Sequence, residues 1–159
     1  MLDNLLVYGK KRGCLIYLIL MRSKEDHISL EFVSHLKFTA FSVLVLTYIK
    51  NFLNIDEDVF FKVEMALREV INNAILHGNK SNLDKKVFVR FNWKKTHLRI
   101  SVRDENTKKI DFQAITQKLK DNDVLSFNGR GLLIIESYMD KVEFHTSSKG
   151  SEIILEKNL

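Results

Sequence analysis

The chain has 159 residues, of which 45% are apolar and 28% charged, and its formal net charge is +5. This length and composition fit one globular domain and exclude collagen-like, disordered and disulfide-scaffold proteins. The single cysteine, Cys14, rules out an intrachain disulfide and fits a reducing compartment, so we expect a cytoplasmic protein.

The first 24 residues hold most of the excess charge, with five basic side chains against one acidic. A basic cluster at residues 10–12 precedes the apolar run 14–21, as in a signal peptide, but no small-residue cleavage site follows. Those eight apolar residues are too few to cross a bilayer, which needs about 20. Two interpretations remain, an extra N-terminal element or a true start at Met21, and we favour the second. The domain itself is then expected at residues 25–159.

Downstream of this segment the chain is nearly neutral, and no basic cluster of the kind that binds nucleic acid is found. The apolar stretch 38–49 is interrupted by Thr39, Ser42 and Thr47, so it predicts a buried helix instead of a membrane span. Neither nucleic acid nor a membrane is therefore an expected partner.

The hydrophobic pattern along the chain switches between the two-residue period of strands and the roughly 3.6-residue period of helices. Residues 28–34 predict a strand and residues 35–53 a core helix. A second helix is expected to begin near Asp56 and to end at His77, with Gly78 as its C-terminal cap. Residues 86–93 and 97–104 predict an antiparallel hairpin.

The rest of the chain predicts a short helix at 111–120, a polar loop at 121–128, a helix that starts at 129–131, and strands at 142–146 and 151–156. Helices segregated over an antiparallel or mixed sheet make an α+β fold, a two-layer sandwich.

The second helix carries two polar residues that its propensity does not explain. Glu69 and Asn73 are four residues apart, which brings the carboxylate and the amide together at the border of the apolar stripe, whereas Asn72 is expected to face water. The pair either forms a hydrogen bond that rims the core or holds a hard cation such as magnesium, which prefers oxygen ligands.

Two further features break the pattern. Asp104 shares the phase of the apolar residues of its strand, so its carboxylate is expected to point inward, where it needs a backbone donor or a ligand's amino group. The turn Asn128-Gly129-Arg130-Gly131 precedes a helix, and free amides at such a place suit an anion, although turn formation alone would also explain the glycines.

These features occur in an order that resembles one protein family. The segment EVINNAILHG (residues 69–78) resembles the N box of the GHKL (histidine kinase-like) ATPase superfamily, most closely the version in bacterial anti-sigma-factor serine/threonine kinases. The segment NGRGLLII (residues 128–135) resembles that family's second glycine box, and Gly150-Ser151 stands where the family has its last Gly-Thr turn. The resemblance runs from about residue 28 to residue 155.

The resemblance implies an ATP-dependent enzyme with a defined site. Asn73 would coordinate Mg²⁺ that bridges the ATP phosphates, and Glu69 would act as general base toward an attacking hydroxyl. Asp104 would accept a hydrogen bond from the adenine amino group. Gly129, Arg130 and Gly131 would cradle the phosphates under a lid formed by about residues 118–128. Ser151, in the Gly-Thr-like turn, would also contact the nucleotide.

The implied function is a protein kinase of a partner-switching module. It would bind a sigma factor or an analogous target and phosphorylate an antagonist (anti-anti-sigma) protein; whether it forms a homodimer stays open. The sequence departs from the family at its first glycine box, Asp-x-Gly-x-Gly, because Asn106 and Lys108 stand where the glycines are expected. A sequestering adaptor with weak or lost ATP binding is therefore the alternative. A kinase that acts on histidine is disfavoured, since no paired phosphoacceptor helices precede the second helix.

Overall fold

A computed structural model describes the backbone of residues 4–11, 14–22, 26–108 and 130–159, and the side chains of residues 27–108 and 131–159. The strands in these ranges are β1 (Asn4–Lys11), β2 (Cys14–Arg22), β3 (Asp26–Val33), β4 (Lys86–Lys94), β5 (His97–Arg103), β6 (Lys141–Ser147) and β7 (Gly150–Asn158). The α-helices there are α1 (Lys37–Leu53), α2 (Glu57–Asn73) and α3 (Arg130–Tyr138). No helix in the described ranges is long and apolar enough to cross a membrane.

The described strands form one antiparallel sheet in the order β1-β2-β3-β4-β5-β7-β6. The predicted hairpin is confirmed, because β4 pairs with β5 in a register that places Phe91 opposite Ile100. The two predicted closing strands also pair with each other, as β6 and β7. The first 24 residues contribute β1 and β2 at one edge of the sheet, and the start at Met21 stays a prediction.

The core lies between the sheet and the helices. Along β4 and β5 every second side chain is buried, as expected for strands with one covered face. The buried residues of α1 and α2 pack against this face and include Leu46, Ile49, Leu67 and Ile71, all fully buried. The predicted α+β sandwich is therefore confirmed.

Helix α2 begins as the sequence predicts. Asp56 is its N-cap, and Asp56 Oδ1 accepts hydrogen bonds from the Asp58 amide at 2.9 Å and the Val59 amide at 3.4 Å. Such a cap satisfies amides that have no partner inside the helix.

The end of α2 differs from the prediction. The helical run reaches Gly78, but its last turn, Ala74–Gly78, is π-helical, a rare geometry that occurs mostly as single turns. Gly78 lies inside this turn and does not have the positive φ of a C-terminal cap; in the described ranges Gly150, at +126°, is the one glycine that does. The cap interpretation of Gly78 was therefore wrong.

Several predictions fall outside the described residues. They are the short helix at 111–120, the polar loop and lid up to residue 128, and Gly129. The predicted helix start is confirmed, since α3 begins at Arg130.

Candidate functional site

Glu69 and Asn73 lie one turn apart on α2 and both are partly buried. Asn73 Nδ2 donates a hydrogen bond to Glu69 Oε1 at 3.1 Å. The predicted i, i+4 contact is therefore present. This bond uses the amide nitrogen of Asn73 and not its carbonyl oxygen. Among the described residues nothing donates to that oxygen, so it can bind a ligand.

The start of α3 lies against the same carboxylate. A Cβ atom placed on Gly131 would lie 2.7 Å from Glu69 Cγ and still closer to the carboxylate, so this position has no room for a side chain. The glycine thus brings the first turn of α3 to Glu69. Two of the features that stood 62 residues apart in the sequence meet here.

Asp104 directly follows β5 and is buried, with 7% of its surface exposed, as its phase predicts. Its Oδ1 accepts hydrogen bonds from the Asn106 amide at 2.7 Å and from the Ser151 amide at 3.3 Å. Its own amide donates to the Ser151 carbonyl at 3.0 Å. Backbone donors therefore hold one carboxylate oxygen, which leaves Oδ2 for a different role.

Burial raises the pKa of Asp104 above its ordinary value. The amides of Asn106 and Ser151, together with the positive charges of Lys85 and Arg103, oppose this rise. Desolvation prevails because the carboxylate is shielded from water and neither cation forms an ion pair with it.

Gly78 connects Asp104 to the helical run that carries Glu69. A Cβ atom on Gly78 would lie 3.0 Å from Asp104 Cβ and would overlap Oδ2. One helical run therefore carries Glu69 and contacts Asp104 at Gly78, nine residues further on, which corresponds to roughly 13 Å along an α-helix. The absence of a side chain at Gly78 lets the backbone of the helical run pack directly against Asp104 Oδ2.

The start of β7 completes the surroundings of Asp104. Gly150 has a φ of +126° and packs on the Asp104 carbonyl, where a Cβ atom would lie 3.1 Å from Glu105 Cα. Ser151 is buried, and its Oγ donates to the Asn106 carbonyl at 2.9 Å. Ser151 therefore lies beside the acid that is expected to bind adenine.

The predicted site residues thus fall into two groups at the two ends of one helical segment. Glu69, Asn73 and Gly131 form the first, and Asp104 and Ser151 form the second. Arg130 begins α3 and so adjoins the first group in sequence.

Asn72 does not face water as the helical wheel suggests. Its Oδ1 accepts a hydrogen bond at 2.9 Å from Oγ1 of Thr39, a buried residue of α1. The wheel locates a residue relative to the apolar stripe of its own helix, and it does not show that a neighbouring helix packs beside that stripe. Asn72 therefore joins α1 to α2.

Sequence reasoning missed Asn79, which directly follows the N-box-like segment. It is 1% exposed and hydrogen-bonds to three separate segments of the chain. The available signal was an asparagine after a helix-ending glycine, which by itself indicates only a turn.

Magnesium fits the first group in its chemistry. No cluster of three or more His, Cys, Asp or Glu side chains lies at metal-binding distance in the described residues. Magnesium usually takes one or two protein oxygens and completes its shell with phosphates and waters. The Asn73 carbonyl oxygen is a ligand of that kind.

Comparison with known proteins decides the family. Residues 42–157 match the model of the histidine kinase-like ATPase domain, which is well over half of the chain. The chain therefore belongs to the histidine kinase-like ATPase family. The N-box-like segment, Asp104 and the sequence Gly129-Arg130-Gly131 all lie within the matched range.

Within this family the chain is similar to anti-sigma factors. It is 30% identical over 134 residues to an anti-sigma F factor of Bacillus velezensis, an alignment that covers 79% of this chain and 91% of the relative. The anti-sigma F factor of Bacillus subtilis is 29% identical with the same coverage. The serine-protein kinase RsbW of Listeria innocua is 22% identical over 143 residues, which cover 86% of this chain and 90% of the relative. These relatives confirm the resemblance to anti-sigma-factor serine kinases.

Proposed function

We propose that this histidine kinase-like ATPase domain binds ATP with Mg²⁺ and phosphorylates a serine or threonine of a protein antagonist. The observation that carries the proposal is the pair of contacts along one helical run, where Gly131 meets Glu69 and Gly78 meets Asp104. An extended nucleoside triphosphate can span the distance between these two contacts.

Asp104 binds the adenine end in this proposal. Its Oδ1 is held by two backbone amides, and Oδ2, beside Gly78, accepts a hydrogen bond from the adenine amino group. Because the carboxylate is already fixed and largely desolvated, binding costs little further ordering of this side chain.

The phosphate end is the group around Glu69. The Asn73 carbonyl oxygen, Gly129, Arg130 and Gly131 are the residues that would hold the phosphates and their cation, next to the positive end of the α3 dipole. When bound, Mg²⁺ neutralises the charge of the phosphate oxygens.

Glu69 is the proposed general base. Its carboxylate accepts the proton of a serine hydroxyl on the antagonist, whose oxygen forms a bond to the γ-phosphorus while the bond to the β,γ-bridging oxygen breaks. The products are a phosphoserine and ADP. Asn73, which donates to Glu69 Oε1, fixes the orientation of this carboxylate.

The partners follow from the names of the relatives. The two Bacillus relatives are anti-sigma factors, and the Listeria relative is a serine-protein kinase. We therefore propose that this chain binds a sigma factor or an analogous target and that the antagonist which displaces it is the phosphoacceptor.

A second candidate is an adaptor that sequesters its target without catalysis. The observation that favours it is the segment after Asp104, where Asn106 stands in place of a family glycine and its carbonyl and amide are both used in internal hydrogen bonds. A side chain at this place reduces the room for the adenine ring.

One experiment separates the two candidates. The purified chain is incubated with γ-labelled ATP, Mg²⁺ and an anti-anti-sigma protein from the same cell, beside the Glu69→Gln variant. A kinase gives stoichiometric phosphoserine on the acceptor with the parent chain and at least about a hundredfold slower transfer with the variant. Formation of a stable complex with the target but no phosphoserine at all supports the adaptor.

A further inference from the structure

Asn79 lies at the junction of the π-helical turn and the loop that follows it, and it is almost fully buried. Its Nδ2 donates to Ser34 Oγ at 2.6 Å and to the Lys86 carbonyl at 2.8 Å, and its Oδ1 accepts from the Glu105 amide at 2.9 Å. Both amide hydrogens and the carbonyl oxygen therefore have partners. A buried amide side chain whose donors and acceptor all have hydrogen-bond partners is held in a single orientation.

The Glu105 amide is the important partner because Glu105 directly follows Asp104. A second bond supports the same residue, since Glu105 Oε2 accepts from the Lys86 amide at 2.6 Å. The backbone at Glu105 is thus attached to Asn79, and its side chain is attached to the first residue of β4.

On the other side of the segment, Asn106 is held in a similar way. Its amide donates to Asp104 Oδ1, and its carbonyl accepts from Ser151 Oγ at 2.9 Å. Three consecutive residues, 104–106, are therefore anchored by Asn79, Lys86 and Ser151. In family members with glycine in the first glycine box, a small residue would allow close approach, but this chain has side chains there and an anchored backbone instead.

We infer that Asn79 is a positioning residue for adenine recognition: through the Glu105 amide it fixes the backbone that aims the Asp104 carboxylate at the amino group of the base. The inference rests on the proposed function, because it assumes that Asp104 binds adenine. It adds a residue outside the boxes on which that function is based, and it predicts that base selectivity depends on a side chain with no contact to the base.

The test compares two nucleotides on the full chain. ATP has the exocyclic amino group and purine riboside triphosphate lacks it. The ratio of their Kd values therefore measures how much the hydrogen bond from that group to Asp104 contributes to binding. We expect the parent chain to prefer ATP by about tenfold or more, and Asn79→Ala to reduce this preference to less than about threefold. Binding of the purine analogue, which does not depend on the aimed carboxylate, should change much less.

Ser34→Ala is the matched control. It removes one hydrogen-bond partner of Asn79 but leaves the Asn79 Oδ1 bond to the Glu105 amide. This variant should keep the preference for ATP, even where its thermal stability falls. A loss of selectivity in Asn79→Ala alone supports positioning, whereas equal losses of selectivity in both variants would overturn it.

A measurement on the parent chain keeps the inference testable if Asn79→Ala does not fold. The Glu105 amide should show slow hydrogen exchange, because its acceptor is a buried side chain; rapid exchange of this amide would overturn the inference. A parent chain that binds ATP without preference, or an Asn79→Ala variant with the full preference, would overturn it while leaving ATP binding intact. A parent chain that binds neither nucleotide would overturn the proposed function itself.

Discussion

Gly131 and Glu69 are in direct contact, although one lies in the first turn of α3 and the other in the second half of α2. Any side chain at position 131 would overlap the Glu69 carboxylate, since even its Cβ would lie 2.7 Å from Glu69 Cγ. The contact makes the position of the proposed general base depend on the first turn of α3.

Gly131→Ala should therefore reduce phosphotransfer without unfolding the domain. The added methyl group displaces the end of a flexible side chain, which costs little in folding, and Ala is a better helix former than Gly by about 1 kcal/mol. We expect a melting temperature close to that of the parent and a loss of transfer rate of about a hundredfold, similar to the loss in Glu69→Gln.

The measurement is a single-turnover phosphotransfer assay together with thermal denaturation. Ser137→Ala, an exposed position on the same helix, is the control and should have the parent rate. A Gly131→Ala variant with full transfer activity would show that the Glu69 carboxylate does not need its observed position.

Gly78→Ala should disturb both the fold and the nucleotide site. The added Cβ would lie 3.0 Å from Asp104 Cβ and overlap Oδ2, and the carboxylate cannot easily turn away because two backbone amides hold Oδ1. Overpacking of this kind costs about 1–3 kcal/mol of unfolding free energy. We expect a loss in that range by urea denaturation and at least about a tenfold weaker ATP affinity. Leu83→Ala, at an exposed position, should change neither, and a Gly78→Ala variant with parent affinity would argue against Oδ2 as the adenine acceptor.

Asp104→Asn should separate stability from binding. Burial raises the pKa of Asp104 above 3.8, so the folded state binds the proton more tightly than the unfolded chain does. The contribution of this group to stability is therefore lost as the pH rises from 3.8 through its raised folded pKa, and at neutral pH the buried charge costs free energy. An asparagine can still accept the two backbone bonds to Oδ1 but carries no charge.

We accordingly expect Asp104→Asn to be at least as stable as the parent at pH 7, with an advantage that shrinks as the pH falls toward 4. Its ATP affinity should fall at least about tenfold, because an amide nitrogen at the Oδ2 position cannot accept from the adenine amino group. Urea denaturation at several pH values and calorimetric titration measure the two effects. A variant that loses stability and keeps its ATP affinity would contradict both expectations.

Thr39→Val tests the link between α1 and α2. The substitution removes the donor to Asn72 Oδ1 and preserves the shape of a buried side chain, so we expect the unfolding free energy to fall by about 1 kcal/mol. ATP affinity should remain at the parent value, because neither residue belongs to the two groups of the site. A large change in affinity would mean that the α1–α2 contact controls the site.

The sequence did not predict β1 and β2, but the described elements after residue 25 were largely predictable because their signals are local. Alternation in β4 and β5 and the cap at Asp56 identify elements without knowledge of their neighbours. The same holds for the Glu69–Asn73 contact, which a helix of standard period determines.

What could not be predicted depends on packing between distant segments. The π-helical turn spans only Ala74–Gly78, which is too short to change the hydrophobic period of the sequence in a recognisable way. Gly78 stands where a C-terminal cap is expected, but a glycine is needed there because Asp104, 26 residues later, packs against it. The partners of Asn79 come from three segments, and the partner of Asn72 lies on another helix, so neither set could be inferred from spacing.

The central claim is that Glu69, Asn73 and Asp104 serve one nucleotide, and calorimetric titration of ATP with and without Mg²⁺ tests it most directly. We expect the parent chain to bind one ATP in a magnesium-dependent manner, Asn73→Ala to lose the magnesium dependence, and Asp104→Asn to lose affinity under both conditions. Exothermic one-to-one binding with this pattern would support a single shared site. Absence of ATP binding in the parent chain, or parent-like titrations in both variants, would contradict the account.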